Sequence, residues 1–210
     1  MKHWVFDLDG TLVDTVGHYG IKLSKIFAHF NLQFTDADLL RSRDYFDVHE
    51  FFSLYMENVK VVEACKILQN ISIEMAPQVK AFDGITELLG LLEEKGTYLS
   101  IWTGRDLASG QKILEHTGLN RFFKSIVSCT CVQKTKPNPE GLLKLLEMTK
   151  FKNSETLMIG DHPFDVRGAK AVGVKALSVS WNEHGPNPLE AESEGHFSDI
   201  KVLHKWADEL

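Results

Sequence analysis

Two aspartates near the start of the chain are the first residues whose type and spacing suggest chemistry. Asp7 and Asp9 directly follow an apolar, β-prone run at residues 3–6, which predicts a buried strand. Residues two apart in an extended chain point to the same side, so we expect both carboxylates to face one way. Because neighbouring like charges disfavour each other's ionisation, the pair indicates a nearby cation or a chemical use for both acids. Asp-Gly is also ordinary turn chemistry, so the pair alone could simply shape a turn.

Three further segments offer polar side chains near predicted strand ends and helix starts. Thr103 and Gly104 directly follow an apolar strand, and Lys136 precedes a predicted helix. Asp161 and Asp165 are four residues apart around the start of another helix. Each has a plain interpretation when taken singly, because hydroxyls and acids often cap helices and a lysine usually faces solvent. Together they supply carboxylates, a hydroxyl and a cation.

The elements that must position these segments follow two successive patterns. Apolar residues first recur at helical spacing, with no strong strand between them; the predicted helices span residues 16–30, 36–43, 48–58 and 59–71. From residue 81 strands and helices alternate, with strands predicted at 97–102, 125–129, 156–159 and 174–179. Such alternation predicts right-handed βαβ units around a parallel sheet, whose ligands bind at the carboxyl ends of the strands. We therefore expect the four segments to meet at one edge.

The same patterns divide the chain into two parts. Residues 1–14 and 79–210 are expected to form an α/β catalytic core with a Rossmann-like parallel sheet. Residues 15–78 are expected to form an all-helical cap inserted after the first strand, with a linker near residues 75–79. Within the core, Asp83 is the predicted N-cap of the first helix.

Composition narrows the class of partner. The chain has 210 residues, of which 43% are hydrophobic and 25% charged, as in ordinary globular proteins. Its formal net charge of −6, without a run of Lys and Arg, argues against nucleic acid or an anionic membrane as a partner. No apolar run is long enough to span a bilayer. Three cysteines without a Cys-x-x-Cys pair suggest a reducing compartment, so we expect a cytoplasmic protein. We expect a monomer or weak dimer.

Taken in order, the four segments resemble the four motifs of the haloacid dehalogenase-like superfamily, most of whose members are magnesium-dependent phosphotransferases. The first motif is the run DLDGTLVD that begins at Asp7. The resemblance covers residues 3–14 and 81–180, and the cap matches in position and helical character only. The chain is similar to the subgroup of phosphoglycolate phosphatases and β-phosphoglucomutases, which carry a helical cap. Thr135 replaces a glycine common before the lysine, and Gly104-Arg105 replaces an Asn-Lys pair.

The resemblance implies roles for the residues that touch the substrate. Asp7 would attack phosphorus and form an aspartyl phosphate. Asp9 would protonate the leaving oxygen and later take a proton from water, and we expect the neighbouring carboxylate to raise its pKa for the acid role. Thr103, Gly104 and Lys136 would hold the phosphoryl oxygens, because phosphoryl transfer depends on positioning and charge neutralisation.

The resemblance also implies one Mg²⁺ ion as cofactor. Asp7, the carbonyl of Asp9 and Asp161 would be its ligands. Asp165 would bind it through water or orient another ligand. A set made only of oxygen ligands fits a hard cation that retains some of its waters.

The leading interpretation is a Mg²⁺-dependent phosphatase whose substrate is a small phosphate ester. A phosphomutase of the β-phosphoglucomutase kind is the alternative; Thr15 fits it, but Tyr19 stands where that subgroup usually has histidine. A non-catalytic binder of phosphorylated metabolites is less favoured, since no motif residue is lost. Arg41 and Arg43 of the cap are candidate contacts for the leaving group, and the sequence does not identify the substrate.

Phosphonate hydrolysis would require a lysine from the cap that forms a Schiff base. Lys22 and Lys25 are available in this part of the sequence, and nothing in the sequence marks either one. A dehalogenase is disfavoured because Asp9 is present and cleavage of a carbon–halogen bond needs no such acid. The chain also lacks the phosphate loop of nucleotide hydrolases and the nucleophile elbow of α/β-hydrolases.

Overall fold

The architecture comes from a computed structural model that describes residues 1–42, 44–45, 47–181 and 193–210. The strands are β1 (His3–Phe6), β2 (Val13–Asp14), β3 (Lys80–Ala81), β4 (Tyr98–Trp102), β5 (Ser125–Val127), β6 (Thr156–Gly160), β7 (Lys175–Val179) and β8 (Gly195–Phe197). The helices are α1 (Val16–His29), α2 (Asp36–Ser42), α3 (Val48–Phe52), α4 (Asn58–Met75), α5 (Ile85–Glu94), α6 (Leu107–Thr117), α7 (Glu140–Thr149), α8 (Pro163–Lys170) and α9 (Ile200–Asp208). Single-turn 3₁₀ helices lie at Ala76–Gln78, Leu119–Arg121, Cys129–Cys131 and Asn153–Glu155.

Six of the strands form one parallel sheet in the order β5-β4-β1-β6-β7-β8. The first strand of the chain therefore lies inside the sheet, between β4 and β6. Phe6, its last residue, is paired with Ile101 on one side and Ile159 on the other. This register places the residues that follow β1 between the carboxyl ends of β4 and β6. The predicted α/β fold with a parallel sheet is confirmed.

Helices cover both faces of the sheet. Trp4 and Phe6 of β1 point into the larger apolar cluster, which α5, α6 and α9 close. Val5 points to the opposite face, into a cluster closed by α7 and α8. Alternate residues of a strand face opposite sides, so Trp4, Val5 and Phe6 are all apolar because both faces of β1 are buried. Burial of each large apolar side chain contributes about 1.5–3 kcal/mol to the stability of the fold, and this burial holds the central strand in place.

The four helices α1–α4 form a helical insertion between β2 and β3. They pack around their own apolar cluster of buried residues, which contains Leu23, Ile26, Phe27, Phe51, Phe52, Val61 and Ala64. The chain enters and leaves the insertion through β2 and β3, which pair antiparallel with Val13 opposite Ala81. The insertion also contacts the core directly, since Gln69 Nε2 of α4 donates to Asp106 Oδ1 at 3.1 Å.

Several boundaries differ from those predicted. The strands β2, β3 and β8 were not predicted, because two or three residues are too few to show a periodicity. The predicted helix at 48–58 ends at Phe52, where Ser53 Oγ bonds back to the carbonyl of His49. The N-cap of α5 is Gly84 rather than Asp83. Among the described residues, no helix is both long and apolar enough to cross a membrane.

Candidate active site

Asp7 lies at the centre of the sheet edge, directly after β1. Its backbone N–H donates to the carbonyl of Ile159 at 2.9 Å, which continues the pairing with β6 for one residue beyond the strand. Its carboxylate is almost buried and accepts a hydrogen bond at Oδ1 from Lys136 Nζ at 2.8 Å. The sequence predicted this proximity from the rule that parallel strands present their carboxyl ends at one edge.

Lys136 is the central cation of the site. Its side chain is 1% exposed, and its Nζ also donates to Asp165 Oδ1 at 2.6 Å. The ammonium lies 4.8 Å from the centre of the Trp102 ring, close enough for a cation–π contact. Burial would lower the pKa of Lys136, but Asp165 and Asp7 outweigh it and raise the pKa above its ordinary value. The lysine is therefore charged, with its position fixed by two carboxylates.

Three carboxylates form an acidic cluster around this lysine. Asp7, Asp161 and Asp165 each place an oxygen within 4.8 Å of the others. Burial raises the pKa of Asp7 to about 7, with Lys136 opposing the shift. Burial and the charges of Asp7 and Asp165 raise the pKa of Asp161 well above its ordinary value. Like charges this close repel each other, so the carboxylates cannot readily all be ionised unless a cation compensates their charge. The cluster therefore fits a hard cation with oxygen ligands.

Gly10 and Thr11 hold Asp161 against the first loop. Thr11 Oγ1 donates to Asp161 Oδ1 at 2.7 Å. Gly10 has a φ of +77°, and a Cβ added there would lie 2.2 Å from Asp161 Oδ2. The position therefore requires glycine both for its left-handed backbone and for the close approach of the carboxylate. This contact explains why a glycine directly follows the second aspartate.

Asp9 lies beside Asp7 in sequence but in a different electrostatic environment. Arg105 Nε donates to Asp9 Oδ2 at 2.9 Å, and Arg105 Nη2 donates to Asp9 Oδ1. Thr15 Oγ1 donates to the same Oδ1 at 2.7 Å. Burial alone would raise the pKa of Asp9, but the Arg105 guanidinium outweighs it and lowers the pKa to about 2. The prediction of a raised pKa is therefore wrong for this state of the site.

Thr103 completes the sheet edge at the end of β4. Its backbone N–H donates to the carbonyl of Val127 at 3.0 Å, and the residue is buried. Its hydroxyl accepts from the N–H of Arg105 at 3.1 Å, an arrangement that turns the chain through Gly104. The structure thus brings Lys136 to Asp7, and Thr103 follows the neighbouring strand β4 at the same edge of the sheet.

Comparison with known proteins identifies the family. The family model described as haloacid dehalogenase-like hydrolase matches residues 4–179, which is most of the chain. The chain belongs to the haloacid dehalogenase-like hydrolase family. The prediction made from the four motifs is thereby confirmed.

Related proteins of this family support the assignment of this chain as a phosphatase. The chain is 30% identical over 194 residues to Probable phosphatase IndB of Dickeya dadantii, covering 89% of this chain and 84% of that protein. It is 29% identical over 211 residues to Pyrophosphatase PpaX of Bacillus mycoides, covering 98% and 94%. The fold matches CbbY of Rhodobacter sphaeroides, solved in complex with phosphate, with a TM-score of 0.87 and 16% identity over the whole of both chains. The predicted enzyme class, a phosphatase of the haloacid dehalogenase-like family, is confirmed.

Two arginines of the helical insertion were predicted to contact the leaving group. Arg41 is exposed in the last turn of α2, and its described interactions are with Tyr55 and Asp38 of the same insertion. The structure therefore does not bring Arg41 to the family's motif residues. Arg43 lies outside the described residues, and its role stays a prediction.

A lysine of the insertion lies within electrostatic range of the motif residue Asp9 instead. Lys22 on α1 is 5% exposed, although Lys25 one turn later is exposed. Burial and then the positive charge of Arg105 lower the pKa of Lys22 to about 8, while Asp9 and Asp106 oppose them. The sequence held a usable signal, because Lys22 is three residues after Tyr19 and four before Ile26, on the apolar face of α1. Sequence reasoning likewise missed that Arg105 pairs with Asp9.

Proposed function

We propose that this protein is a Mg²⁺-dependent phosphatase that hydrolyses a small phosphorylated metabolite through an aspartyl phosphate on Asp7. The observation that carries the proposal is the contact between Lys136 Nζ and Asp7 Oδ1 at 2.8 Å, inside a cluster of buried and half-buried carboxylates. A carboxylate, a fixed cation and a metal-binding cluster in one place are what in-line phosphoryl transfer to an aspartate requires.

The acidic cluster is suited to Mg²⁺. Asp7, Asp161 and the carbonyl of Asp9 would hold the ion, with Asp165 acting through water or on Lys136. The donors are oxygens only, and Asp7 and Asp161 have raised pKa values that a bound cation would relieve. When bound, Mg²⁺ would neutralise charge on the transferring phosphoryl group.

The remaining steps belong to side chains of the site. The Asp7 carboxylate attacks phosphorus, and the bond to the leaving oxygen breaks. Lys136 stays beside the phosphoryl oxygens because Asp165 holds its Nζ at 2.6 Å, and the Thr103 hydroxyl lies at the same edge. Asp9 is ionised in this structure, so it can take a proton from the water that hydrolyses the intermediate. To act first as an acid, Asp9 must gain a proton, which requires its pair with Arg105 to loosen.

The helical insertion would act as a cap over this site. We propose a cap at residues 15–78 on a catalytic core of residues 1–14 and 79–210, with its hinge at β2 and β3. Two short crossings leave the insertion free to move against the core, and its own apolar cluster keeps it folded while it does so. Closure would exclude bulk water and strengthen the charge interactions around the phosphoryl group.

Hydrolysis is favoured over phosphomutase activity by the residue at position 19. Burial raises the pKa of Tyr19, so its phenol is protonated at neutral pH and cannot replace an imidazole as proton acceptor. The name of the PpaX relative makes pyrophosphate a reasonable member of a substrate panel, and the resemblance to phosphoglycolate phosphatases adds phosphoglycolate.

The test is hydrolysis of an aryl phosphate and of a panel of phosphorylated metabolites by the purified protein. We expect turnover that depends on Mg²⁺, stops in excess chelator and is inhibited by Ca²⁺, which prefers longer bonds and more ligands. Full activity in excess chelator would defeat the metal assignment. Absence of phosphate release from every substrate, with Mg²⁺ present and the protein folded, would defeat the proposed function.

A further inference from the structure

We propose that Lys22 and Arg105 form a binding site for a second anionic group, a phosphate or a carboxylate, on the leaving group of the substrate. The inference rests on the proposed function, because it names the substrate class for the same site. It assigns substrate selection to these two cations rather than to Arg41 and Arg43, the residues that the sequence suggested.

Lys22 is a buried cation without an anionic partner in the described part of the chain. It is 5% exposed, and its only hydrogen bond among those residues is to Ser72 Oγ at a long 3.4 Å. A hydroxyl at that distance does not offset the cost of keeping an ammonium group out of water. Lys136, by contrast, is equally buried but has two carboxylates within 2.8 Å. Lys22 thus has no direct ion pair among the described residues, and Asp9 and Asp106 act on it only from beyond contact distance.

Arg105 has N–H donors that its pair with Asp9 does not use. Its side chain is 8% exposed, and Asp9 engages two of its five N–H groups, at Nε and Nη2. No other acceptor for the guanidinium is found within the described residues. The remaining donors are arranged in the planar fork that suits a carboxylate or phosphate.

The two cations converge on the side of the site where the leaving group must lie. Thr15 joins the start of α1 to Asp9, and Lys22 lies two turns further along the same helix. Gln69 of α4 donates to Asp106, which follows Arg105, so α4 contacts the same loop. The charges of Arg105, Asp9 and Asp106 all act on Lys22. Asp9, the predicted proton donor to the leaving oxygen, pairs with Arg105, and its charge acts on both Lys22 and Asp7.

The test measures binding, so it does not depend on turnover. Ethylphosphonate and phosphonoacetate have nearly the same size, but only the second carries a carboxylate; methylenediphosphonate carries a second phosphonate instead. Each is titrated calorimetrically at matched free Mg²⁺. For the unaltered protein we expect phosphonoacetate or methylenediphosphonate to bind ~10-fold or more tightly than ethylphosphonate. Each offers a second anionic group for a charge-assisted contact. Whichever of phosphonoacetate and methylenediphosphonate binds more tightly shows whether the site prefers a carboxylate or a phosphate.

The variant Lys22→Met should reduce that preference to less than ~3-fold, because the aliphatic stem is retained and the charge is removed. Lys25→Met, on the exposed side of the same helix, is the matched control and should keep the full preference. Lys22→Arg should restore part of it. Lys22→Gln serves if the methionine variant does not fold, as judged by circular dichroism.

Two outcomes overturn the proposal. One is equal binding of all three probes by the unaltered protein; the other is a full preference in folded Lys22→Met. Failure of the proposed function is distinguishable, since it would show as absent turnover while the binding preference and its loss in Lys22→Met remain measurable. Turnover without any preference for the anionic probes would leave the phosphatase standing and remove this site.

Discussion

At the scale of single residues, Asp7 and Asp9 show that one residue type can be prepared for two tasks. Burial raises the pKa of Asp7 to about 7. Burial disfavours the ionised form of Asp9 as well, but Arg105 outweighs it and lowers the pKa of Asp9 to about 2. The difference comes from neighbours on other elements, Lys136 for one and Arg105 for the other. Environments that separate the pKa values of two nearby acids are typical of sites that use them differently.

Substituting each aspartate separates the two steps of hydrolysis. Asp7→Asn should form no phosphoenzyme from an aryl phosphate. Asp9→Asn should slow turnover by roughly 10²–10⁴-fold and accumulate phosphoenzyme, because an aryl leaving group needs little protonation whereas hydrolysis of the intermediate needs the base. Acid-quenched protein, analysed by mass spectrometry, gives the fraction phosphorylated.

Asp36→Asn, at an exposed position, is the control and should behave like the unaltered protein. Phosphoenzyme in Asp7→Asn would show that another residue is the nucleophile. Equal loss of phosphoenzyme in both variants would remove the division of roles.

The sequence predicted the residues of the site better than their partners. Asp7, Thr103 and Lys136 could be placed because each lies at a strand end or before a helix whose position the pattern fixes. The pair of Asp9 with Arg105 could not, because it joins residues 96 positions apart through side-chain conformations that no periodicity encodes. Lys22 was visible in principle as a cation on an apolar helix face, but its orientation toward Arg105 depends on how α1 sits on the core.

At the scale of elements, the sheet is fastened by a polar contact at the end opposite the active site. His3, at the start of β1, is fully buried, with Ser100 of β4 at 2.7 Å and Thr156 of β6 at 3.2 Å from its ring nitrogens. Burial lowers the pKa of His3 to about 4. The strand was predicted from its apolar neighbours, but the histidine within it was not predicted to join three strands.

Protonation of His3 should therefore weaken the fold. Its folded pKa lies below the unfolded value of 6.5, so its contribution is present above pH 6.5 and is lost as the pH falls toward 4. The unfolding free energy should fall over this range by up to about 3 kcal/mol from this residue alone. Urea unfolding at several pH values measures the slope.

His3→Gln should lack that part of the slope, whereas His116→Gln, at an exposed position, should retain it. The comparison between the two variants matters because buried carboxylates also titrate. Identical slopes in all three proteins would mean that His3 is not kept neutral by burial.

At the scale of the whole molecule, two packed bodies are joined by polar contacts. The core and the helical insertion each have an apolar cluster of their own, and Thr15–Asp9 and Gln69–Asp106 are contacts between them. The change from helical periodicity to alternating strands and helices predicted the kinds of element that these two bodies contain. Their relative placement was not predictable, since it depends on a few polar contacts and on strands of two residues.

Mg²⁺ should stabilise the molecule as a whole. The ion would bind the folded acidic cluster and relieve repulsion among Asp7, Asp161 and Asp165, whereas the unfolded chain has no such cluster. At about 100 times its dissociation constant a ligand adds about 2.7 kcal/mol, which corresponds to a rise in Tm of roughly 5–10 °C for a chain of this size. Thermal unfolding with and without Mg²⁺, at equal ionic strength, measures the rise.

In Asp161→Asn the shift should shrink strongly, while the Tm without Mg²⁺ should rise or stay, because one repelling charge is gone. Sodium at matched ionic strength should not reproduce the shift. A rise in Tm of the same size in Asp161→Asn would show that Mg²⁺ stabilises the protein elsewhere.

The pairing of β2 with β3 makes the insertion exchangeable. Because Val13 is directly opposite Ala81, the two cut points of the core lie next to each other, about 5 Å apart between Cα atoms. Everything between them can be lengthened, shortened or replaced by another folded module without altering the strand order of the sheet. Asp7, Lys136 and Asp161 all lie outside that interval, so the graft leaves the phosphoryl site whole. The chain thus carries its phosphoryl-transfer residues and its helical insertion on separately replaceable stretches, and the insertion can be changed without rebuilding the catalyst.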